Sequence, residues 1–287
     1  MVEAASGVRH RRLTRDAVVV EGPDALGYLQ GQLSQDVAAL GVGESAWSWL
    51  LAPQGKVDAL VRVARSGEER LVVDTDPGWG AAVLDRLIRF KLRTRAGFER
   101  ATLEVLAVRA GTGEGVRAGT GEGVRAGTGE GKALVALWAG GEAVDLVGTE
   151  APGPGRELTA EEWEAERIAA GVPVMGAELT ERTIPAETGL VPVTVSFTKG
   201  CYTGQELVAR IDSRGGNVAR HLRLLRSAEP LGPGAELVAG AKVVGTVTSA
   251  SPLGPVALGY VGRAVEPGAT LDADGIPVEV VALPARG

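Results

Sequence analysis

The chain has 287 residues, a formal net charge of −6 and a hydrophobic content of 45%. This length suits about two domains with a sizeable core, and the negative balance gives no general attraction for nucleic acid. No run of about 18 apolar residues is present to span a membrane. One cysteine and two histidines exclude the common zinc sites and an iron–sulfur cluster held by this chain alone. Without a recognisable export signal in residues 1–15, we expect a cytoplasmic protein with no metal site of its own.

The first part of the chain alternates short strands with two helices. Clusters of β-branched and apolar residues between turn residues predict strands at 18–20, 46–51, 57–63, 71–73 and 102–108. Leucine spacing predicts a helix over 24–37. A second, amphipathic helix is predicted over 79–92, with one apolar side made of Val83, Leu87, Ile88 and Leu92.

Basic residues crowd the stretch 86–100. They are Arg86, Arg89, Lys91, Arg93, Arg95 and Arg100. The plain interpretation is the solvated face of a helix, and contact with RNA is the alternative.

Residues 109–132 contain three copies of a glycine-rich octapeptide. Such a repeat cannot bury a core, so we predict a flexible surface insertion. The letters at 113–118 fit a dinucleotide-binding fingerprint, but no helix follows them, which argues against a nucleotide site.

The second part of the chain changes character towards its end. Strands are predicted at 133–138 and 143–147, and a capping box at Thr159 and Glu162 begins a helix that ends at Gly171. From His221 onward, five or six short apolar runs separated by glycine and proline predict a small antiparallel barrel or sandwich. The chain therefore divides into an α+β body at 1–219, with two lobes, and a β domain at 220–287.

The only cysteine lies in the sequence Lys199-Gly200-Cys201-Tyr202-Thr203-Gly204-Gln205-Glu206. A cation and a helix N-terminus both stabilise a thiolate. Lys199 lies two residues before Cys201, and a helix is predicted to begin near Gln205. We therefore interpret Cys201 as a reactive or ligand-facing group, with a buried core cysteine as the alternative.

With this motif in place, the chain resembles the YgfZ-type folate-binding proteins, which are relatives of the aminomethyltransferase called T-protein in glycine cleavage. The similar segments are 22–24, 28–32, 34–37, 53–56, 167–171, 184–187, 199–210 and 245–249. The resemblance implies a three-lobed, aminomethyltransferase-like α+β fold around a central channel for tetrahydrofolate, with a C-terminal antiparallel β-barrel.

The resemblance also implies a function. It points to an accessory factor for iron–sulfur cluster assembly or repair that supports tRNA-modifying iron–sulfur enzymes. Cys201 and Lys199 would carry the chemistry, and the partners would be iron–sulfur proteins or their assembly machinery. We expect a monomer with an indirect link to tRNA modification.

Candidate folate-binding residues follow from the same resemblance. They are Trp163, Arg167, Glu187, Tyr202, Gln205 and Arg210. The family commonly has glutamate where this chain has Ala169, so Glu187 is the substitute carboxylate. Core packing for Trp163, helix capping for Glu187 and salt bridges for the arginines are the structural alternatives.

A working aminomethyltransferase is the first alternative function, and a non-catalytic tRNA or protein adaptor is the second. T-proteins carry a catalytic aspartate after a glycine-containing turn, and alignment on Gly55 places Asp58 one residue early. In a strand, that offset sends a side chain to the opposite face unless a bulge intervenes. The sequence therefore favours an accessory factor over an active transferase.

Overall fold

The computed structural model describes residues 7–111 and 132–286. The predicted octapeptide insertion therefore lies outside the described residues, except for its first three positions and its last. Among the residues that are described, no helix is both long and apolar enough to cross a membrane.

An eight-stranded sheet organises the first half of the chain. In chain order its strands are β1 (Arg9–Glu21), β2 (Ser45–Leu51), β3 (Val57–Arg65), β4 (Arg70–Thr75), β5 (Gly97–Ala110), β6 (Lys132–Val135), β7 (Glu142–Val147) and β8 (Arg156–Glu157). The spatial order is β2-β3-β4-β1-β5-β7-β6, and the short β8 pairs with β1 in parallel. The long β1 is central because it pairs with β4 and β5 at once.

The sheet curls until its two edge strands approach each other. Trp47 Nε1 donates to the Val135 carbonyl at 3.0 Å, and the Val135 amide donates to Ser45 Oγ at 2.9 Å. Alternate side chains therefore point either into the curl or towards the outer helices. The outer face, represented by Val18, Val20 and Val63, packs with the helices into the main apolar core.

The inner face of the curl carries a buried network of charges. Arg62 is fully buried and donates to Asp74 at 2.9 Å and to Asp145 at 2.7 Å. Arg109 donates to the other Asp145 oxygen at 2.8 Å, and Arg15 bonds Asp74. Burial by itself would raise the pKa of Asp145, but the charges of Arg109 and Arg62 outweigh it and lower that pKa.

The first helix is shorter than the sequence predicts. Helix α1 covers Ala25–Gln32, and Leu33 is already extended, where it bridges to Leu50. Ser34 Oγ then accepts a hydrogen bond from the Trp49 amide at 2.9 Å. Leu33 is buried by edge pairing with β2, and this pairing replaces continuation of the helix.

The second helix, α2 (Gly80–Arg89), also ends early and presents a different side to the core. Ile88 and Leu92 are 46% and 83% exposed, so the prediction that both share the apolar side with Val83 is wrong. Arg86 takes an inward position instead, because its guanidinium donates to Asp58 at 2.8 Å and to the Leu51 carbonyl at 2.6 Å.

The capping box that begins α3 (Ala160–Ala169) is confirmed. The Glu162 amide donates to Thr159 Oγ1 at 3.2 Å, and the Thr159 amide donates to the Glu162 carboxylate at 2.8 Å. Gly171 has φ +65° just beyond the helix, as the predicted stop requires. A 3₁₀ helix (Pro185–Glu187), α4 (Val191–Thr194) and α5 (Gln205–Asp212) follow.

The last part of the described chain forms a closed antiparallel barrel, which confirms that alternative over the sandwich. Its strands are β9 (Arg220–Ser227), β10 (Glu236–Ala239), β11 (Lys242–Ala250), β12 (Val256–Gly262), β13 (Thr270–Ala273) and β14 (Ile276–Val281). Buried Glu178 attaches the barrel to the preceding chain by accepting from Thr248 at 2.7 Å and Ser249 at 2.6 Å. The division into two domains at residue 220 stays a prediction.

Candidate functional site

The cysteine loop (residues 199–204) lies on the end of α1. The Thr203 amide donates to the Gly31 carbonyl at 3.1 Å. Lys199 Nζ donates to the carbonyl oxygens of Gln30 at 2.5 Å, Leu33 at 2.6 Å and Gln35 at 3.0 Å. Segments that are far apart in sequence and weak as separate motifs therefore meet at this loop.

Cys201 is exposed, so the alternative of a buried core cysteine is wrong. The predicted role of Lys199 in keeping Cys201 ionised stays a prediction, and the structure shows a further, structural role for this residue. An ammonium has three N–H donors, and all three are directed at backbone carbonyls, which leaves none for a thiolate. Burial lowers the pKa of Lys199 to about 8. Lys199 fixes the backbone that presents Cys201.

Two glycines let the cysteine loop approach the turn between β2 and β3. Gly55 and Gly204 have φ +79° and +83°. A Cβ on Gly204 would lie 2.6 Å from the Ala52 carbonyl oxygen and 2.8 Å from Leu51 Cβ. A side chain at this position would force the loop away from the turn.

We expect Gly204→Ala to lower the free energy of unfolding by about 1–3 kcal/mol, because it combines a left-handed backbone with overpacking. Urea denaturation followed by circular dichroism measures the loss. Gly200→Ala is the matched control, since a Cβ there meets nothing within 4 Å. Equal stability of the two variants would contradict the close approach.

Most of the predicted folate ligands already have structural partners. Arg167 is buried and bonds Glu164 at 2.5 Å. Glu187 accepts from the Ile184 amide at 3.1 Å and pairs with Arg220 at 3.2 Å. The first contact is the helix capping that the sequence offered as the structural alternative for Glu187, and the ion pair is an additional contact.

The remaining predicted ligands lie on or near α5. Gln205 Oε1 accepts from the Tyr202 amide at 3.1 Å, which closes the loop onto the helix. Burial raises the pKa of Tyr202 to about 12, and its ring lies 5.1 Å from Lys199 Nζ. Arg210 is exposed. The structure does not bring these residues together with Trp163 in one pocket.

Trp163 belongs to a stack of aromatic and guanidinium groups. Its ring centroid lies 5.3 Å from that of Trp138. The Arg109 guanidinium lies 4.6 Å from the Trp138 ring centroid and 5.0 Å from that of Trp163. Trp163 therefore packs against Trp138.

Trp138 forms part of the wall of a cavity of about 190 Å³. The lining residues are Ser45, Ala46, Trp47, Val135, Ala136, Leu137, Trp138, Val193 and Arg286. None of the predicted site residues is in this lining. The sequence feature that could have indicated this cavity is the scarcity of tryptophan. The chain has five, and two of them, Trp47 and Trp138, line the cavity.

Polar groups are available at the cavity wall. Arg286 donates to the Gly171 carbonyl at 2.5 Å, while its buried Nε has no partner within the described chain. Burial lowers the pKa of Arg286 to about 10. Residues 136–139 form neither helix nor strand, so their backbone groups are not committed to a sheet ladder.

Asp58 lies at a β-bulge, which is the one condition under which its offset position could be re-aimed. Leu50 pairs with Ala59 and Leu51 with Val57, so Asp58 is the extra residue. Its carboxylate nevertheless pairs with Arg86 at 2.8 Å. Asp58 is also absent from the cavity lining, so it is not placed to act as a catalytic carboxylate in that cavity.

The described residues contain no group of three or more histidine, cysteine, aspartate or glutamate side chains placed to hold a metal ion.

Comparison with known proteins gives the fold and the family. No family model matches the chain. The aminomethyltransferase T of the Bartonella henselae glycine cleavage system superposes with a TM-score of 0.77 at 19% identity, over 97% of this chain and 86% of that one. This likeness confirms the predicted aminomethyltransferase-like fold.

Sequence relatives are more specific. The chain is 31% identical over 227 residues to the tRNA-modifying protein YgfZ of Serratia proteamaculans, and 29% identical over 224 residues to that of Photorhabdus laumondii. The chain belongs to a YgfZ-type family with an aminomethyltransferase-like fold. Its matches cover 65% of the length of each of these two YgfZ proteins. An uncharacterized protein of Haemophilus influenzae is 28% identical over 81% of this chain and 80% of its own length.

Proposed function

We propose that this YgfZ-type chain binds a folate and acts as an accessory factor in tRNA modification, through iron–sulfur enzymes. Relatives named as tRNA-modifying proteins support the cellular role, and the fold of an aminomethyltransferase supports the ligand class. The aromatic cavity between Trp47 and Trp138 is the observation that carries the proposal.

The cavity residues fit part of a folate. A pterin is flat and can lie against the indole of Trp47 or Trp138, while a guanidinium suits the carboxylates of a glutamyl tail. Arg286 is the charged residue in the cavity lining. The volume of 190 Å³ is below the range of about 300–1,000 Å³ for drug-sized ligands, so it suits the ring system with the tail outside.

The pterin edge would meet backbone groups in place of a side-chain carboxylate. No acidic residue lines the cavity, and Glu187 is committed to Arg220 and the Ile184 amide. The uncommitted amides and carbonyls of 136–139 can supply both donors and acceptors. Tetrahydrofolate, when bound, would supply one-carbon or reducing chemistry, and the chain's own residues would orient it and exclude water.

Cys201 would act in a separate step with a partner protein. A thiolate is a ligand for iron, and an exposed cysteine on a fixed loop can contact a partner's iron–sulfur cluster as cargo. One thiolate cannot hold such a cluster alone, so the other ligands would come from the partner.

A calorimetric titration with tetrahydrofolate tests folate binding. We expect Trp138→Ala to weaken binding by about tenfold or more, because stacking a ring on an aromatic side chain contributes about 1–3 kcal/mol. We expect Arg286→Ala to weaken tetrahydrofolate but not tetrahydropterin, which lacks the glutamyl tail. Trp79→Ala, outside the cavity lining, is the matched control.

A flat titration of the unmodified protein would reject the folate site. Equal losses of tetrahydrofolate affinity for Trp138→Ala and Trp79→Ala would show that the folate site is not at Trp138. A loss of tetrahydropterin binding on Arg286→Ala would place that side chain at the ring instead of the tail.

A further inference from the structure

The end of α2 and the turn after it expose three large apolar side chains within five residues. Ile88, Phe90 and Leu92 are 46%, 39% and 83% exposed. We call residues 88–93 the corner surface. Single exposed apolar residues are ordinary, but a contiguous group on a soluble domain marks an interaction site.

The backbone of the corner surface is held in place. The Lys91 amide donates to the Ile88 carbonyl at 3.0 Å, and Lys91 Nζ donates to the Ala96 carbonyl at 2.6 Å. Arg93 has φ +53°, a conformation that a residue with a side chain adopts only at a cost. The apolar side chains are therefore presented on a fixed turn.

Two arginines on the corner surface lack a carboxylate partner. Arg86 pairs with Asp58 and Arg95 pairs with Asp24. No ion pair forms between Arg89 or Arg93 and any carboxylate in the described ranges, and both are exposed. In a chain of net charge −6, this local positive potential favours an acidic partner surface.

The apolar side chains favour a protein over RNA as that partner. Ile88 and Leu92 have no flat face on which a base could stack, and the Arg86 guanidinium lies 4.1 Å from the Phe90 ring centroid and covers one of its faces. RNA recognition relies on stacking and phosphate contacts. Apolar anchors bordered by arginine are typical of protein interfaces.

Arg86, whose guanidinium lies on the Phe90 ring of the corner surface, also contacts the end of α1 on which the cysteine loop lies. Gln32 Oε1 accepts from Arg86 at 3.1 Å, and the neighbouring Gly31 carbonyl accepts from Thr203 at 3.1 Å. The corner surface and the cysteine loop are therefore connected through Arg86 and the end of α1.

We propose that the corner surface docks a partner protein through an apolar groove bordered by carboxylates. Ile88, Phe90 and Leu92 enter the groove, while Arg89 and Arg93 pair with the acidic border. This surface is independent of folate binding, because none of its residues lines the aromatic cavity.

In-cell photocrosslinking tests the proposal. The photoreactive residue p-benzoylphenylalanine replaces Leu92 in the full chain and, as a control, the exposed Leu253 of the barrel. We expect a protein adduct at 92 that resists ribonuclease, maps to an acidic peptide of the partner, and falls about tenfold in the background of Arg89→Glu with Arg93→Glu.

Three results would overturn the proposal. One is an adduct at 92 no stronger than that at 253. Another is an adduct that ribonuclease removes, which would assign the surface to RNA. The third is a mapped partner peptide without carboxylates. Retained tetrahydrofolate binding by the Arg89→Glu, Arg93→Glu variant separates this test from that of the proposed function.

Discussion

Replacing Arg62 with methionine is expected to lower the free energy of unfolding by about 3 kcal/mol, the lower end of the cost of breaking a buried ion pair. Arg62 is fully buried and joins Asp74 to Asp145. Methionine fills similar space but leaves both carboxylates short of a partner. Arg15 and Arg109 still bond them, which keeps the loss at the lower end.

The loss should also depend on pH. In the native protein the pKa of Asp145 is lowered, so its stabilising contribution is present above the ordinary carboxyl pKa and is lost as pH falls through the lowered value. In the variant Asp145 lacks the charge of Arg62, which helps to lower its pKa, so its carboxylate can protonate more readily. The difference in free energy of unfolding between the unmodified protein and Arg62→Met should therefore become smaller as the pH falls from about 7 to about 4.

Urea denaturation across this pH range measures both effects. Arg70→Met is the matched control, because the Arg70–Glu21 pair has a similar 2.8 Å distance but is about half exposed on both sides. We expect that control to lose less than about 1 kcal/mol. Equal losses in the two variants would show that the network contributes no more than surface pairing.

Cys201→Ser is expected to abolish function in cells while leaving the fold intact. The thiol is exposed, so its replacement by a hydroxyl should change stability by less than about 0.5 kcal/mol. A hydroxyl is a poor iron ligand at neutral pH, because the thiolate is the binding species. Complementation of a deletion strain should fall to the level of an empty vector, measured as modified nucleosides in tRNA that depend on iron–sulfur enzymes.

Thr198→Ala, in the chain just before the same loop, is the control and should complement fully. Tetrahydrofolate titration of Cys201→Ser should match the unmodified protein, since Cys201 lies outside the cavity lining. Full complementation by Cys201→Ser would remove the thiol from the mechanism and leave the folate proposal standing.

Local patterns in the sequence predicted much of the secondary structure. The capping box of α3 and the glycine that follows it involve residues only a few positions apart, so their geometry is readable without the fold. The barrel strands were predictable for the same reason, as short apolar runs between turns. The predicted α1 is too long because Leu33 pairs with a strand edge, and the predicted apolar side of α2 is wrong because Arg86 takes an inward position.

The candidate site depended on contacts across the whole chain. Cys201 was visible in the sequence because it is unique, but the role of Lys199 is set by three carbonyls more than 160 positions away. The aromatic cavity joins Trp47, Trp138 and Arg286, which no local spacing connects. Of the folate ligands inferred from resemblance, Arg167 and Glu187 have ion-pair partners in the structure, and the role of all six stays a prediction.

The sequence by itself indicated the class of fold, the run of short strands in the C-terminal part and the loop that carries the only cysteine, because these depend on a distinctive motif, periodicity and turn residues. Tertiary structure alone decided where that loop is anchored, which tryptophans face a cavity and which arginines are free. Those properties follow from the curl of the sheet and the docking of α1, which bring distant residues within bonding distance. The cysteine was identified locally, and its surroundings were decided by long-range packing.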